Sequence, residues 1–340
     1  MIITHDDEIK AAIFGTVVGD ALGVPVEFSS KHQRKEDPVT DMREYGTHNQ
    51  PMGTWSDDSS MMLATIDSIV QKREINFEDI MNRFGKWLHD GEYTPHGKTF
   101  DYGMTCANAI TKYHPGVDPR ECGGCNEHDN GNGSLMRIIP ISLNFALESD
   151  YDIDYAVDKV HDASRLTHGH PRSLIGCMIY TSICHELIFH KGIYPLLDIV
   201  QRAVDDTLKF YERAAKKHAW FSEDFESEVK VDAYARLRDL DAFKNLPNSE
   251  IRGSGYVVDC LEASVWCLLN SESYSDCVLK AVNLGEDTDT TGAVAGGLAG
   301  IFYGYDDIPK EWIDVIVKKD WINKLVKKYT DFWDAEGVLS

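Results

Sequence analysis

An all-α fold is the class that this sequence predicts, on three observations. Apolar residues recur at helical spacing along most of its 340 residues. Alternating apolar and polar runs of strand length are scarce. The composition, 43% hydrophobic and 26% charged, is that of an ordinary globular chain. A chain of this size buries about three quarters of its unfolded surface and needs no disulfide staple. No repeat, low-complexity tract or Pro/Ser-rich linker marks a boundary, so residues 1–340 are expected to form a single domain of ten or more helices.

The first helical pattern runs from Ile9 to Leu22, with Ile9, Ala12, Ile13, Val17 and Ala21 along one stripe. Ser59 to Val70 places Met62, Leu63, Ile66, Ile69 and Val70 likewise. Further patterns cover Phe77 to Leu88, Tyr151 to Leu166, Ser173 to Phe189 and Tyr194 to Ala214. Ser254 to Asn270, Ser273 to Leu284 and Thr291 to Tyr303 follow, and Trp312 to Trp333 supplies one or two more. In the Thr291 helix, Gly292, Gly296 and Gly300 fall on one face beside Ala295 and Ala299. That face lets a neighbouring helix backbone come close. The segments 31–50 and 216–248 fix no conformation, and Glu223 to Lys230 reads as a solvated loop or helix end.

The net charge is −22. Such a chain repels nucleic-acid phosphate and anionic lipid over most of its surface, and no local basic patch stands out in the sequence. An anionic ligand would have to be met by a metal, by backbone N–H groups or by a few placed Arg or His. The acidic start, MIITHDDEIK, has no signal-peptide core. No run is expected to span a membrane; the nearest, Thr291 to Gly304, is short and Gly-rich. Of the eight cysteines, Cys122 and Cys125 form a lone CxxC, and without a second pair at zinc-finger spacing zinc is disfavoured. Reduced thiols and a cytoplasmic location are expected.

Four loops gather the unusual residues: GDALGVPVEF (19–28), GTWSDDSS (53–60), DNGNGSLMR (129–137) and GEDTDTTG (285–292). Ser56, Asp57 and Asp58 precede a helix, where a single such side chain is enough to cap it. Asp287-Thr288-Asp289-Thr290 offers two carboxylates and two hydroxyls, more than capping requires. The spacing of Asp287 and Asp289 lets both converge on one point from a tight turn. Hard divalent cations take oxygen ligands, and four clustered carboxylates would raise one another's pKa values without a cation. This oxygen-only set argues for Mg²⁺ or Mn²⁺ over zinc.

Six motifs in order resemble the ADP-ribosylglycohydrolase family, the group that includes the dinitrogen reductase-activating glycohydrolase and the ADP-ribosylarginine hydrolases. They are GDALGVPVEF, TWSDDS, GNGSLMR, LTHGHP, GSGYVVDCLEA and GEDTDTTGAVAGGLAG, and they cover most of the chain, from about Gly15 to Gly304. The resemblance implies a compact orthogonal multi-helix bundle with a binuclear Mg²⁺ centre, Mn²⁺ in some members, in a central cleft. It implies metal ligands at Ser56, Asp57, Asp58, Asp287, Asp289 and Thr290, with Ser56 standing where the family usually has Thr. Glu27 matches the family's acid near the scissile bond. Asp129 matches an acid of the arginine-directed members, though an Asp-Asn-Gly-Asn-Gly turn would also explain it. Gly131, Asn132, Gly133 and Ser134 match the loop whose N–H groups approach the diphosphate. His168, favoured over His170, matches a contact to the distal ADP-ribose. Tyr256 matches a residue near the leaving group, with a core anchor as the other reading. Arg137 is expected in a structural ion pair.

The implied reaction hydrolyses the bond between ribose C1″ of ADP-ribose and a nitrogen or oxygen acceptor, through an oxocarbenium-like state. Glu27 or Asp129 would handle the proton. The Asp129 and Tyr256 matches favour arginine N-glycosides on protein over serine or O-acetyl linkages. A non-catalytic ADP-ribose binder and a diphosphate-cleaving phosphoesterase are the rival readings. A monomer is expected, and insertions 31–50 and 216–248 are expected to shape the choice of acceptor.

Overall fold

The computed structural model describes residues 6–147, 152–213, 218 and 222–336. The described residues form α1 (Asp6–Gly23), α2 (Lys31–Glu36), α3 (Asp57–Lys72), α4 (Phe77–Asp90), α5 (Met104–Lys112), α6 (Ile139–Ala146), α7 (Ile153–Arg165) and α8 (Pro171–His190). They continue as α9 (Leu196–Arg213), α10 (Glu223–Val231), α11 (Leu240–Lys244), α12 (Val257–Leu269), α13 (Tyr274–Val282), α14 (Thr288–Tyr303), α15 (Lys310–Val315) and α16 (Lys319–Glu336). No strand occurs among the described residues, only isolated bridges at Tyr45–Gln50, Gly124–His168 and Gly131–Tyr256. The all-α expectation holds.

Every apolar stripe read from the sequence coincides with a helix, and the Trp312–Trp333 stretch divides into α15 and α16. Tyr151 and Ala214, two expected helix ends, lie outside the described residues. Helices α2, α5, α6 and α11 had no clear stripe because they are short, from 5 to 9 residues. Glu223–Val231 is a helix, capped by the Ser222 side chain on the Phe225 N–H.

Helices α1 and α14 form the centre. They run antiparallel: Gly15 meets Gly296, Gly19 meets Gly292, and Ala11 meets Gly300. The contact is backbone on backbone. A Cβ added at Gly19 would lie 2.0 Å from the Gly292 carbonyl oxygen, and one at Gly296 would lie 2.2 Å from that of Gly15. The face of small residues expected on α14 therefore finds its partner in a matching face on α1. Tyr274 on α13 donates its hydroxyl to the Gly15 carbonyl at 2.7 Å, closing the third side. Helix α8 is buried along most of its length and packs on α6, α7, α9, α12 and α14.

The longest apolar run lies elsewhere than expected. Residues 6–26 are long and apolar enough to cross a bilayer, and Thr291 to Gly304 is not the nearest such run. The 18-residue apolar window within residues 6–26 is 94% buried inside the protein. Its apolar surface is consumed by packing on α3, α13, α14 and α16.

The close helix contact makes a sharp prediction. Gly296→Ala should cost about 3 kcal/mol or more, because the new methyl meets rigid backbone. Gly85→Ala, inside α4 with nothing within 4 Å of its added Cβ, should gain about 0.5–1 kcal/mol. Urea unfolding of both variants measures the contrast; equal midpoints would show that the glycine contact does not hold the centre.

Candidate active site

The N-termini of α3 and α14 converge. Ser56 is the N-cap of α3: its Oγ accepts from the Asp58 N–H at 3.3 Å and donates to Asp58 Oδ2 at 2.8 Å. Capping thus falls to Ser56 and leaves the carboxylates of Asp57 and Asp58 free of that duty. Both acids lie inside the first turn, not ahead of it, and both are buried. Asp287 occupies the N-cap of α14 without a side-chain capping bond, and its Oδ2 accepts from Asn132 Nδ2 at 2.8 Å. Asp289 and Thr290 also belong to the first helical turn, so a tight turn is not what aligns Asp287 with Asp289. Thr290 Oγ1 reaches Asp58 Oδ2 at 3.5 Å, which joins the two clusters.

Asp20 on α1 organises the junction. Its carboxylate accepts from the Ser56 N–H at 3.0 Å, the Ser59 N–H at 3.1 Å and the Ser59 Oγ at 2.5 Å. The sequence held a signal for it: Asp20 is the one charged residue between Lys10 and Glu27. A lone acid in an apolar helix must find buried donors or cations.

Two groups of ligand atoms result. Asp20, Asp58 and Asp289 each place one carboxylate oxygen within 4.8 Å of the others, and Glu27, His48, Asp101 and Asp289 meet the same limit. Asp289 belongs to both. Among the described residues Asp58 Oδ1 and Asp289 Oδ2 are buried without a hydrogen-bond partner. An orphaned buried carboxylate oxygen is costly, and a cation is the partner that removes the cost. The donor set therefore fits divalent cations. It is not oxygen-only, since His48 contributes a ring nitrogen to the second group.

The electrostatics follow from burial. Desolvation pushes the Asp20 and Glu27 carboxyls up to about 7. Burial, followed by mutual repulsion, raises Asp57, Asp58 and Asp289 well above the carboxylate range. Asp101 is raised by burial as well. Glu27 is not a surface residue: it is buried, and its Oε2 pairs with His48 Nε2. That hydrogen bond raises the His48 pKa. His48 ends a single 3₁₀ turn (46–48), Asp101 sits in an irregular segment, and nothing in their sequence neighbourhood singled them out.

Of the other expected residues, Asn132 reaches this cluster directly. Asn132 ties to Asp287, but its own N–H is spent on the Gly255 carbonyl at 3.0 Å. A Cβ at Gly133 would lie 2.8 Å from both Cys106 Sγ and His168 Cε1, so this glycine makes room for protein atoms. Gly131 pairs with Tyr256 through an isolated bridge. Ser134 is fully buried and accepts from Ser164 Oγ at 2.9 Å, which keeps its hydroxyl in the interior. His168 is buried beneath the loop; burial drives its pKa down to about 3, and its Nδ1 pairs with Thr167 Oγ1 at 2.9 Å. His170 instead caps α8. Tyr256 is half-buried at the N-cap of α12, and its hydroxyl accepts from Arg172 at 3.3 Å.

Asp129 stands outside both acid groups. Its Oδ2 accepts from the Asn126 N–H at 2.9 Å and Asn126 Nδ2 at 2.7 Å, so the turn role is the one its geometry fills. Arg137 is structural, though not through an ion pair. It donates to Thr167 Oγ1 at 2.7 Å and lies over the Phe84 ring at 5.0 Å.

These shifts give stability a pH dependence. Carboxyls whose folded pKa is raised from about 4 towards 7 hold protons in the folded state that the unfolded chain has released. Their stabilisation is complete below about pH 4 and is lost as pH rises through about 7. Chelator-treated protein should therefore lose melting temperature between pH 5 and 7.5, and an added divalent cation should raise it more at pH 7.5. Differential scanning calorimetry at the two pH values tests this; a cation-induced shift of equal size at both would contradict the buried-acid account.

Comparisons with known proteins identify the family. The sequence profile of the family described as ADP-ribosylglycohydrolase matches residues 1–337. The ADP-ribosylarginine hydrolase Tri1 of Serratia proteamaculans (strain 568) is 28% identical over 322 residues, covering 95% of this chain and 78% of the relative. The ADP-ribosyl-[dinitrogen reductase] glycohydrolase of Rhodospirillum rubrum is 28% identical over 323 residues, covering 92% of this chain and 91% of the relative. A solved structure titled ADP-ribosylglycohydrolase-related protein complex superposes with a TM-score of 0.73 at 27% identity, covering 97% of this chain and 99% of that one. The chain belongs to the ADP-ribosylglycohydrolase family and is an ADP-ribosylglycohydrolase enzyme.

Proposed function

We propose that this enzyme hydrolyses the N-glycosidic bond between ADP-ribose and an arginine side chain on protein, with Mg²⁺ as cofactor, and so reverses ADP-ribosylation. The observation that carries the reading is the pair of orphaned buried oxygens, Asp58 Oδ1 and Asp289 Oδ2, at the joined N-termini of α3 and α14. Ser56, Asp57, Asp58, Asp287, Asp289 and Thr290 would hold two cations, with Asp20 as an added candidate. When bound, the cations would neutralise the clustered acids and act as Lewis acids toward ribose and water oxygens. The arginine assignment draws on the name of the Serratia relative.

In the reaction the C1″–N bond breaks and its electron pair leaves with the guanidine nitrogen, which takes up a proton. Water oxygen bonds to C1″ and gives up a proton. Glu27, buried beside the joined acid loops, would handle that proton. His48 holds the Glu27 carboxyl in position. The surrounding carboxylates favour the positive charge that develops on the ribose. The loop 131–134, His168 and Tyr256 would line the ADP-ribose site, with backbone and neutral groups meeting its anionic diphosphate. Asp129 would remain the second candidate for the proton given up by water, with its carboxylate held in its turn by Asn126. The eight described cysteines are all free, in keeping with a reducing, cytoplasmic setting. Residues 1–340 would work as one unit and as a monomer.

Asp57→Ala and Asp289→Ala should each reduce release of free ADP-ribose by at least about 100-fold. Circular dichroism should stay helical in both, and wild-type turnover in either would remove the metal-centre reading. Glu27→Gln should reduce kcat by about 100-fold or more while ADP-ribose binding persists, as calorimetric titration would show. Matched peptides carrying arginine-linked or serine-linked ADP-ribose separate the N-glycosidic from the O-glycosidic reading by rate. The product separates a glycohydrolase from a phosphoesterase, which would yield AMP.

A further inference from the structure

Phe28 is the most exposed large apolar residue among the described ones, at 69%, and it directly follows the buried Glu27. Its backbone sits in the left-handed region, φ 61°. A bulky side chain rarely tolerates that conformation. Two backbone bonds impose it: the Phe28 N–H donates to the Glu286 carbonyl at 2.7 Å, and the Glu286 N–H donates to the Ser29 carbonyl at 2.7 Å. Glu286 has φ 65° and precedes Asp287. A strained backbone thus holds an exposed ring at the mouth of the acid cluster, where burial of that ring contributes nothing to folding.

The ring has companions. His48 lies 5.9 Å from it, centroid to centroid, and Phe100 lies 5.3 Å beyond His48. Asp101 follows Phe100 and shares the second acid group with Glu27. An aromatic face beside carboxylates suits a flat, delocalised cation: the face attracts positive charge, and the acids complement it. Guanidinium is the side-chain group with that shape and charge. A serine O-glycoside offers nothing of the kind.

We propose that Phe28, backed by His48 and Phe100, is the acceptor platform that stacks on the guanidinium of ADP-ribosylated arginine and sets the preference for arginine over serine linkages. This rests on the arginine reading above. Phe28 is a specificity residue here and takes no part in proton transfer.

The test uses the full-length enzyme with Mg²⁺ and matched arginine-linked and serine-linked ADP-ribosyl peptides. Phe28→Ala, Phe28→Leu and Phe28→Tyr all keep a Cβ, so the backbone strain is the same in each. Phe28→Ala should lower kcat/KM on the arginine-linked peptide by about 5- to 30-fold. The Kd for free ADP-ribose, measured by calorimetry, should change less than twofold. Phe28→Tyr, which retains the ring, should recover most of the loss, and Phe28→Leu should not. Recovery by leucine, an equal loss of ADP-ribose affinity, or an unchanged kcat/KM in Phe28→Ala would overturn the platform while leaving the arginine reading intact. A wild-type enzyme that cleaves the serine-linked peptide and not the arginine-linked one would overturn both.

Discussion

The contact between the backbones of α1 and α14 is the constraint on which the rest depends. With no Cβ between them at Gly15, Gly19, Gly292 and Gly296, the two helices lie closer than side chains would permit. That closeness continues to the α14 N-terminus, where a Cβ on Gly23 would fall 2.3 Å from Asp289 Cα. Asp20, one residue past Gly19, is thereby buried beside the helix start that carries Asp289. The Ser56 and Ser59 donors then dock the start of α3 onto Asp20. One packing choice in the middle of the fold thus fixes three acids from three distant parts of the chain.

Such a site is unfavourable taken alone. Several carboxylates share a volume from which water is largely excluded, and each lacks enough donors to stay ionised at no cost. The protein offsets part of this with what lies to hand. Helix N-termini point their partial positive charge at Asp57, Asp58 and Asp289, and serine hydroxyls and backbone N–H groups surround Asp20. No arginine or lysine pairs with the acid cluster among the described residues; the buried Arg137 donates to the Ala163 carbonyl and Thr167 Oγ1. Negative charge left uncompensated in this way is what a cation would neutralise if it bound there. In a chain of net charge −22, the same economy would leave backbone N–H groups and helix ends, in place of a basic patch, to meet the diphosphate under the proposed function.

Legibility in the sequence followed the periodic and the local. Helices of three turns or more announced themselves through their apolar stripes, and the glycines of α14 announced a close neighbour without naming it. Ser56-Asp57-Asp58 and Asp287 to Thr290 were visible because each puts more acids and hydroxyls in one turn than a cap can use. Asp20 was hidden only by the apolar motif around it. His48 and Asp101 were invisible, since their role arises from tertiary approach: nothing at 48 or 101 says that both will face Glu27. Asp129 is the opposite case: its motif placement suggested chemistry or a turn, and its carboxylate accepts two hydrogen bonds from Asn126 within the turn.

The site divides into a part that cannot vary and a part that can. The acids stand on first turns of long helices, buried and anchored by hydrogen bonds, as chemistry at a fixed point requires. Around their mouth the chain is irregular and strained. Phe28, Tyr45, Asn49 and Glu286, four of the eight described non-glycine residues with positive φ, lie in the segments bordering Glu27 and Asp287. The turn at 46–48 is pressed onto the segment before Glu27, where a Cβ on Gly46 would meet the Pro25 carbonyl carbon at 2.6 Å. His48 leaves that turn to reach Glu27. Strain of this kind persists only where the surrounding contacts over-determine it, and here those contacts tie the rim directly to the acid loops. The Phe28 N–H on the Glu286 carbonyl is one such tie, and Glu286 sits one residue before Asp287.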